Sequence, residues 1–217
     1  MNLGEMVTEV SNLIQDDSYS DAVIKNYINN TIKFIADTVN LPGLKGIDSV
    51  DTVVDQNYAS LTGLANGFSG RLVSCLSDSI DIYSTLEDLM AVYAPDIDEE
   101  GDVESIALEG NTLWYQKIPA AAETLILIYY QNPESLTADV DVPVADIPAS
   151  VHRKLFVHGT AHFIYDEIED GIEGEKVNTK AQFWQSFDSR NRNSGISELR
   201  SILAKKKVHC LTGIWNC

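Results

Sequence analysis

The sequence predicts an α+β protein, in which helices from both ends of the chain form a bundle and a β-rich insert lies between them in sequence. Apolar residues recur with helical spacing in residues 3–39 and again after residue 148. Short β-branched and aromatic runs, separated by Gly, Asn, Asp and Pro, fill residues 47–131. The 217 residues are 44% hydrophobic, which is enough to bury a core in one large domain or two small ones.

Two helices are predicted at the N-terminus. Apolar residues repeat at i, i+3, i+4 and i+7 over residues 3–14, which places one apolar stripe on a three-turn helix. A second helix is predicted to begin near Ser20 or Asp21, either of which can cap free N–H groups, and to end at Pro42. Its predicted buried face comprises Val23, Ile24, Tyr27, Ile28, Ile32, Ile35 and Val39. This αα-hairpin cannot bury its stripe alone, so further helices must cover it.

The β-rich insert contains several strand-like runs, of which Leu125–Tyr130 is the most apolar and ends before Pro133. A hairpin is predicted at Gly110-Asn111, because these two residues lie between alternating runs and tolerate positive φ. One short helix is predicted at Leu86–Tyr93, ending at Pro95.

Two further helices are predicted from Ala149 to Asp170 and from Asn178 to Lys206. Asp146-Ile147-Pro148 is typical of a helix start, whereas weak helix formers and Gly195 predict a kink or break within the last helix. The predicted organisation is therefore an N-terminal helical hairpin (1–46), the β-rich insert (47–131), helices that complete the bundle (132–206) and a C-terminal docking tail (207–217).

Charge is the strongest compositional signal. The chain has 33 acidic and 15 basic side chains and a net charge of −18, which repels phosphate and argues against tight nucleic-acid binding. Residues 199–217 contain four cations and no acidic residue, so the rest of the chain carries 11 basic and 33 acidic side chains. This asymmetry predicts that the tail contacts an acidic surface, for example that of a neighbouring copy; the macrodipole at a helix C-terminus equally accounts for the lysine run alone.

Targeting segments and covalent frameworks are not expected. No run of 18 apolar residues occurs, and the first ten residues carry acids where a signal peptide carries cations, so we expect the protein to act in a cytoplasm without entering a membrane. Cys75, Cys210 and Cys217 are too few for a disulfide framework or a four-cysteine zinc site, and we expect them to be reduced.

Catalytic motifs are weak. His158 and His162 lie four residues apart on a predicted helix, with Asp166 on the same face, which is a spacing that zinc could use. In the run HGTAH, however, Gly159 occupies the position of the metalloprotease glutamate, so a role in an inter-helix surface is preferred over a metal site. The chain has no P-loop and no nucleophile elbow, and carboxylate pairs among 33 acids carry no information. We therefore predict no enzyme activity and no cofactor.

Trp215 lies beyond the last predicted helix, in the run LTGIWNC that follows the lysines. An apolar residue on a chain end commonly anchors a segment in a partner's groove, although packing of Trp215 on its own domain is the alternative.

The order of these segments resembles the head-to-tail adaptor proteins of tailed bacteriophages. The resemblance lies in the hairpin SYSDAVIKNYINNTIKFIADTVNLPGL, with the pair Ile28-Asn29, and in the strand-like run LILIYYQNPESL. It continues through the acidic linker TADVDVPVADIP (137–148), which ends in the DIP at 146–148, and the helix with Leu155, Ala161 and Tyr165. It covers most of the chain through packing residues and turns and includes no catalytic motif.

The resemblance implies a non-enzymatic virion protein of the neck. Twelve copies would form a ring beneath the portal, and DNA would pass through its acidic lumen during ejection without sequence-specific binding. The C-terminal segment would reach the portal, which assigns portal docking to Lys205, Lys206, Lys207, Ile214 and Trp215. The β-rich insert would face a tail or nozzle protein. The alternatives are another neck or tail component, such as a stopper or terminator, and a metal-dependent or cell-wall hydrolase.

Overall fold

A computed structural model describes the backbone of residues 1–64, 67–77, 80–94, 98–167, 175–188 and 193–212, and their side chains except for 175–178 and 206–212. The chain divides into two compact units. The helical unit comprises Met1–Gly43 and Pro133–Cys217, and the sheet unit comprises Leu44–Asn132. The predicted α+β class is confirmed.

Helix α1 (Leu3–Ile14) has the predicted bounds and the predicted apolar stripe. It begins with a capping box, in which the Glu5 N–H donates to Asn2 Oδ1 at 2.9 Å and the Asn2 N–H donates to the Glu5 carboxylate at 3.0 Å. Five residues of the stripe are buried: Leu3, Met6, Val7, Val10 and Ile14. Gln15 ends the helix in the left-handed region, with φ of 50°.

Helix α2 (Asp21–Thr38) begins where the sequence predicts, with two differences in detail. Ser20 is the N-cap residue, but its side chain makes no capping hydrogen bond. Val23 was expected to be buried and is 37% exposed, because it lies one residue, or about 100° around the helix, from the buried stripe of Ile24, Ile28, Ile32 and Ile35.

The first of the two C-terminal helices is predicted as one continuous element, and the chain is helical without a break from Ala149 to Glu167, but its hydrogen bonding changes along the segment. A 3₁₀ turn (Ala149–Val151) and a π-helical segment (Arg153–Val157) precede α4 (His158–Glu167). The π-helical segment contacts α1, α2 and α4, and also the two helices that follow α4. Leu155, Phe156 and Val157 are consecutive and fully buried, because this segment is surrounded by neighbouring helices and not packed on one face.

The last predicted helix is divided into two helices, α5 (Glu175–Phe187) and α6 (Gly195–Thr212). The break falls in the run of weak helix formers that the sequence marks near Gly195. Helix α6 continues to Thr212, past the predicted boundary at Lys206.

In its described residues the sheet unit contains seven strands and helix α3 (Leu86–Tyr93), whose bounds match the prediction. The strands in chain order are β1 (Lys45–Asp51), β2 (Tyr58–Ser60), β3 (Phe68–Cys75), β4 (Asp81–Tyr83), β5 (Ser105–Glu109), β6 (Thr112–Tyr115) and β7 (Thr124–Gln131). They form a three-stranded antiparallel sheet of order β1-β7-β3 and a four-stranded sheet of order β2-β6-β5-β4, in which only β4 and β5 run parallel.

The core of the sheet unit follows from strand alternation. Leu125, Leu127 and Tyr129 of β7 point inward and pack with residues of β5 and β6, including Ile106, Leu113 and Tyr115. Gly110 has φ of 59° in the tight turn between β5 and β6, so the predicted hairpin is confirmed.

The segment that follows the sheet unit, residues 133–148, is held against α2 by the side chain of Asn29. Asn29 of α2 donates from Nδ2 to the Leu136 carbonyl at 3.0 Å, and its Oδ1 accepts from the Leu136 N–H at 2.8 Å. Both hydrogen bonds span 107 residues of sequence. Leu136 itself is 9% exposed, so the clamp fixes a buried anchor against α2.

The same segment completes the N-terminus of α1. The Leu3 N–H donates to the Asp141 carbonyl at 2.8 Å, and the Gly4 N–H donates to the Asp139 carbonyl at 3.0 Å. These are donors that a helix start leaves without intrahelical partners. A Cβ at Gly4 would lie 3.1 Å from the Asp139 Cβ, so glycine permits this close approach. The returning chain therefore serves as part of the cap.

We expect Asn29→Ala to destabilise the helical unit by about 1–3 kcal/mol, because it leaves the partly buried Leu136 N–H and carbonyl without partners. Asn30→Ala is the matched control: Asn30 is the next residue of the same helix and is exposed, so its replacement should change stability by less than about 0.5 kcal/mol. Urea unfolding followed by helical circular dichroism measures both. Equal effects of the two substitutions would contradict the clamp.

Candidate interaction surfaces

Helix α6, which contains three of the five predicted docking residues (Lys205, Lys206 and Lys207), is attached to the helical unit by its first two turns. Ile196 and Leu199 are fully buried. A Cβ at Gly195 would lie 3.0 Å from Leu155 Cδ2, so the helix start packs closely on the π-helical segment. Lys154 Nζ pairs with the Glu198 carboxylate at 2.8 Å, and Arg200 donates to the Thr38 carbonyl at 3.1 Å. The start of α6 is thus held by packing and by polar contacts.

Beyond Leu199 the packing of α6 decreases. Ile202 and Leu203 are half-buried, whereas Ala204 and Lys205 are exposed. Lys206 and Lys207 continue the helix, but their side chains lie outside the described part. Ile214 and Trp215 lie outside the described residues altogether. Of the five predicted docking residues, the structure therefore places one side chain, and that one is exposed.

The histidine pair lies between α4 and α5, and the two rings contact different residues of α5. His158 Nδ1 is 2.7 Å from Ser186 Oγ, and its ring lies 5.6 Å from the Phe183 ring. The His162 ring lies 4.7 Å from the Trp184 ring. Asp166, the possible third ligand, pairs with Lys180 of α5. Both histidines thus contribute to helix–helix packing.

A metal site needs several ligands around one point. Within the part of the chain that the structure describes, no group of three or more His, Cys, Asp and Glu side chains is arranged to hold a metal ion. His162 Nδ1 is nevertheless buried without a hydrogen-bond partner.

The packing of the neighbouring helices explains why residue 159 is a glycine. A Cβ at this position would lie 2.8 Å from atoms of the Phe187 ring and 2.8 Å from Thr31 Cγ2. Next to it, Thr160 Oγ1 is 3.1 Å from Thr31 Oγ1. The position where a metalloprotease carries its glutamate therefore lies against α2 and α5, with no room for a larger side chain.

His152 has partners that sequence reasoning did not find. It is 8% exposed, and its Nδ1 lies 3.1 Å from the N-terminal amine. An ammonium group can only donate, so Nδ1 accepts, and Nε2 carries the proton that it donates to the Ile147 carbonyl at 2.9 Å. The contact with the N-terminal amine spans 151 residues of sequence, and the contact with Ile147 spans five. No local sequence pattern predicts either of them.

All three of these histidines have a pKa below the usual value. Burial lowers the pKa of His152, His158 and His162, since an apolar environment disfavours the charged ring. The nearby charges of Arg153 and Lys154 lower the pKa of His158 further. The rings are therefore neutral at pH 7.

An open groove lies beside the histidine pair. It has a volume of about 380 Å³ and is lined by His162, Lys180, Ala181 and Trp184, and we call it the α4–α5 groove. Trp184 is 37% exposed there, although a tryptophan usually buries most of its surface. The groove thus exposes an aromatic wall beside the Lys180–Asp166 ion pair.

The sheet unit exposes apolar residues on the outer face of its three-stranded sheet. Ile47 is paired with Ile128 across β1 and β7 and is 65% exposed. Ile126 is 41% exposed, and Leu76, directly after β3, is 54% exposed. Around Tyr130 of β7 lie two cations, Arg71 at 4.9 Å and Lys45 at 5.8 Å from the ring centre.

Charge is distributed unevenly over the two units. The sheet unit has three basic and fifteen acidic side chains, a net charge of −12, and the helical unit has twelve and eighteen, a net charge of −6. Among the helices that the structure describes, none has the length and apolar content needed to cross a membrane.

The comparison with protein families gives one match. The model of the SU10 adaptor protein family matches residues 1–203. No curated protein sequence matches the chain.

We expect Gly159→Ala to destabilise the protein, although alanine is the better helix former by about 1 kcal/mol. The added methyl group would overlap Phe187 and Thr31, and overpacking of this kind costs about 1–3 kcal/mol. Thr31→Ser removes Thr31 Cγ2 and keeps the hydroxyl, so Gly159→Ala should cost less in that background. Thermal unfolding of the four proteins of this cycle measures the coupling. A rise in Tm for Gly159→Ala alone would contradict the close approach.

We expect the helical unit to lose stability as the pH falls from 7.5 to 5.5. The unfolded histidines gain protons near their ordinary pKa of about 6.5, whereas the folded ones, with a lowered pKa, stay neutral to lower pH, so protons favour the unfolded state. Most carboxylates remain ionised in this window. His162→Gln should make the pH dependence of Tm shallower. An unchanged slope in this variant would exclude His162 from the effect.

Proposed function

The chain belongs to the SU10 adaptor protein family, a phage adaptor family whose model matches residues 1–203, and from this membership we propose that it is the head-to-tail adaptor of a tailed-bacteriophage virion. In this role twelve copies form a ring in the neck, which binds the portal on one side and a tail or nozzle protein on the other. The family is one of structural adaptors and is not a known enzyme family, and the proposed role is likewise structural.

Helix α6 supports portal docking. Its first turns are fixed on the π-helical segment through Ile196 and Leu199, and its later turns carry Lys205 with an exposed side chain. Residues 199–217 contain four cations and no acidic side chain. A rigid base with an exposed cationic end suits a docking element, because less conformational entropy is lost when it binds.

The sheet unit supports contact with the tail. Its outer face exposes Ile47, Leu76 and Ile126 together, and contiguous exposed apolar side chains commonly mark protein interaction surfaces. In the proposed ring this face binds the tail protein.

The net negative charge supports a role in which DNA passes the protein without binding to it. Both units are net negative, at −12 and −6, and repulsion between carboxylates and phosphates lets a duplex slide past. The proposed lumen therefore guides DNA during packaging and ejection without binding a particular sequence.

Two truncations separate the parts of the proposed docking element. A chain ending at Ala204 loses the lysine run together with Ile214 and Trp215, and we expect it to lose portal binding. A chain ending at Thr212 keeps the lysines but loses the apolar anchor, and we expect binding to weaken at least tenfold, or about 1.4 kcal/mol. Titration of the purified portal, monitored by sedimentation, measures both affinities.

The charge contribution has a matched control within the chain. Replacing Lys205, Lys206 and Lys207 by glutamine should weaken portal binding and flatten its dependence on salt. Lys33→Gln changes an exposed lysine on α2 and should leave binding unchanged. Full portal affinity in the chain ending at Ala204, with the Tm of the full-length protein, would refute the assignment of docking to this end.

A further inference from the structure

The outer face of the three-stranded sheet carries a row of aliphatic side chains that crosses the sheet. Ile47 of β1 is paired with Ile128 of β7, and the Leu76 N–H donates to the Ile126 carbonyl at 2.7 Å, so these four residues are neighbours on one face. We call them the apolar row. Ile47, Leu76 and Ile126 are exposed. A sheet normally buries such a face under another layer of structure, so the row calls for a partner.

One end of the apolar row is acidic. Asp51 and Thr124 form the last pair of β1 and β7, and Thr124 lies two residues from Ile126 on the same face. Glu123 is beside this pair, because the Thr52 N–H donates to its carbonyl at 2.8 Å. Among the described residues, neither carboxylate forms an ion pair. The Asp51 carboxylate accepts from Thr124 Oγ1 at 2.7 Å, but a neutral hydroxyl leaves its negative charge uncompensated.

The sheet unit cannot neutralise this end with its own cations. Its fifteen acidic and three basic side chains leave a net charge of −12 however they pair. Lys117 already pairs with an acid of the unit, and Lys45 and Arg71 flank Tyr130. Tyr130 is six residues from Thr124 along β7, or about 20 Å away, so these two cations mark the opposite end of the face. A partner that covers the row must therefore be apolar and, at the Asp51 end, cationic.

One segment of the chain has this character. Residues 205–217, which we call the C-terminal segment, begin with three lysines, contain no acidic residue and carry the apolar pair Ile214-Trp215. No other stretch of thirteen residues in the chain contains three lysine or arginine residues without an acidic one. The most basic apolar segment and the most acidic apolar face therefore belong to the same protein, and they are complementary in charge and in hydrophobicity.

The spacing of the two surfaces also matches. Helix α6 extends to Thr212, so Lys207 and Ile214 are separated by five helical rises and two further residues, or at most about 14 Å. Asp51 and Ile47 are separated by four residues of β1, which is also about 14 Å. A segment with its lysines at the acidic end can thus place its apolar pair on the row.

We infer that, before the portal is bound, the C-terminal segment of one copy docks on the apolar row of a second copy. Its lysines lie at Asp51 and Glu123, and Ile214 and Trp215 cover the aliphatic side chains. This contact precedes the ring and is distinct from the contacts that build it.

The inference rests on the proposed function and adds its regulation. The portal and a second copy compete for the same segment, and the segment and the tail protein compete for the same face. Portal binding withdraws the segment and exposes the apolar row. The tail protein is therefore recruited only by copies that are already on a portal, which orders the two steps.

Disulfide cross-linking of full-length chains tests the contact directly. One chain carries Ile47→Cys with its three native cysteines replaced by serine, and a second, affinity-tagged chain keeps only Cys217 of the native cysteines. Mixed without portal, the two chains should form disulfide-linked heterodimers, and added portal should lower the yield roughly tenfold. Val92→Cys, which replaces an exposed valine of α3 in the same unit, is the matched control and should not cross-link to Cys217 above background. Equal yields for Ile47→Cys and Val92→Cys would overturn the contact.

Sedimentation of the protein without portal supplies an independent arm. Ile47→Ser should weaken self-association roughly tenfold with an unchanged Tm, as should truncation after Ala204, whereas Val92→Ser should not. Added salt should also weaken it, because the lysines act by charge attraction.

The outcomes separate this inference from the proposed function. A full-length chain that binds the portal but neither self-associates nor cross-links without it would overturn the inference and leave the proposed function standing. A chain with both Ile47→Cys and Cys217 that cross-links only within itself would overturn the second copy as the occupant. A full-length chain that cross-links to a second copy but does not bind the portal would overturn the proposed function and the competition that depends on it.

Discussion

The helical unit depends on the return of the chain to it after an excursion of 89 residues. Closing so long a connection costs conformational entropy, which contacts between the two halves must offset. Besides the packing of α1 and α2 on the π-helical segment and α4, hydrogen bonds to residues 133–146 join the halves. Asn29 holds both backbone groups of Leu136, the first N–H groups of α1 donate to Asp139 and Asp141, and the Gly43 N–H donates to the Asp146 carboxylate. Because the returning segment caps α1, each half of the unit lacks hydrogen-bond partners without the other.

The close approach at Gly159 determines what remains open. Phe187 of α5 packs where a side chain of α4 would otherwise stand, and Phe34, Phe163 and Phe187 form a cluster around it. At His162 and Trp184, one turn along α4 from that point, the two helices leave the α4–α5 groove. The glycine that argues against a protease motif is thus also the residue that sets the spacing of the exposed groove.

Features that depend on local sequence were predictable, and those that depend on distant contacts were not. The stripe of α1, the bounds of α3 and the turn at Gly110 follow from periodicity and turn chemistry. The π-helical segment does not, because it lies among α1, α2, α4, α5 and α6, and no local pattern of Arg153–Val157 predicts these contacts. In the sequence, nothing distinguishes Asn29 and His152 from other polar residues. Only the structure shows that Asn29 binds Leu136 and that His152 contacts Ile147 and the N-terminal amine. The valines of 137–142 read as part of an acidic linker, since only the structure shows that hydrogen bonds hold that linker with its apolar side chains outward.

The distribution of charge explains why two kinds of contact would be needed. Copies with net charges of −12 and −6 on their units repel each other, so a contact between copies in the proposed ring must draw its free energy mainly from apolar burial. Docking through Lys205 and its neighbours draws instead on attraction between opposite charges. Salt screens both interactions, yet it relieves repulsion in the first and weakens attraction in the second. In the proposed ring, added salt strengthens the contact between copies and weakens docking on the portal. The order of these two assembly steps therefore depends on ionic strength.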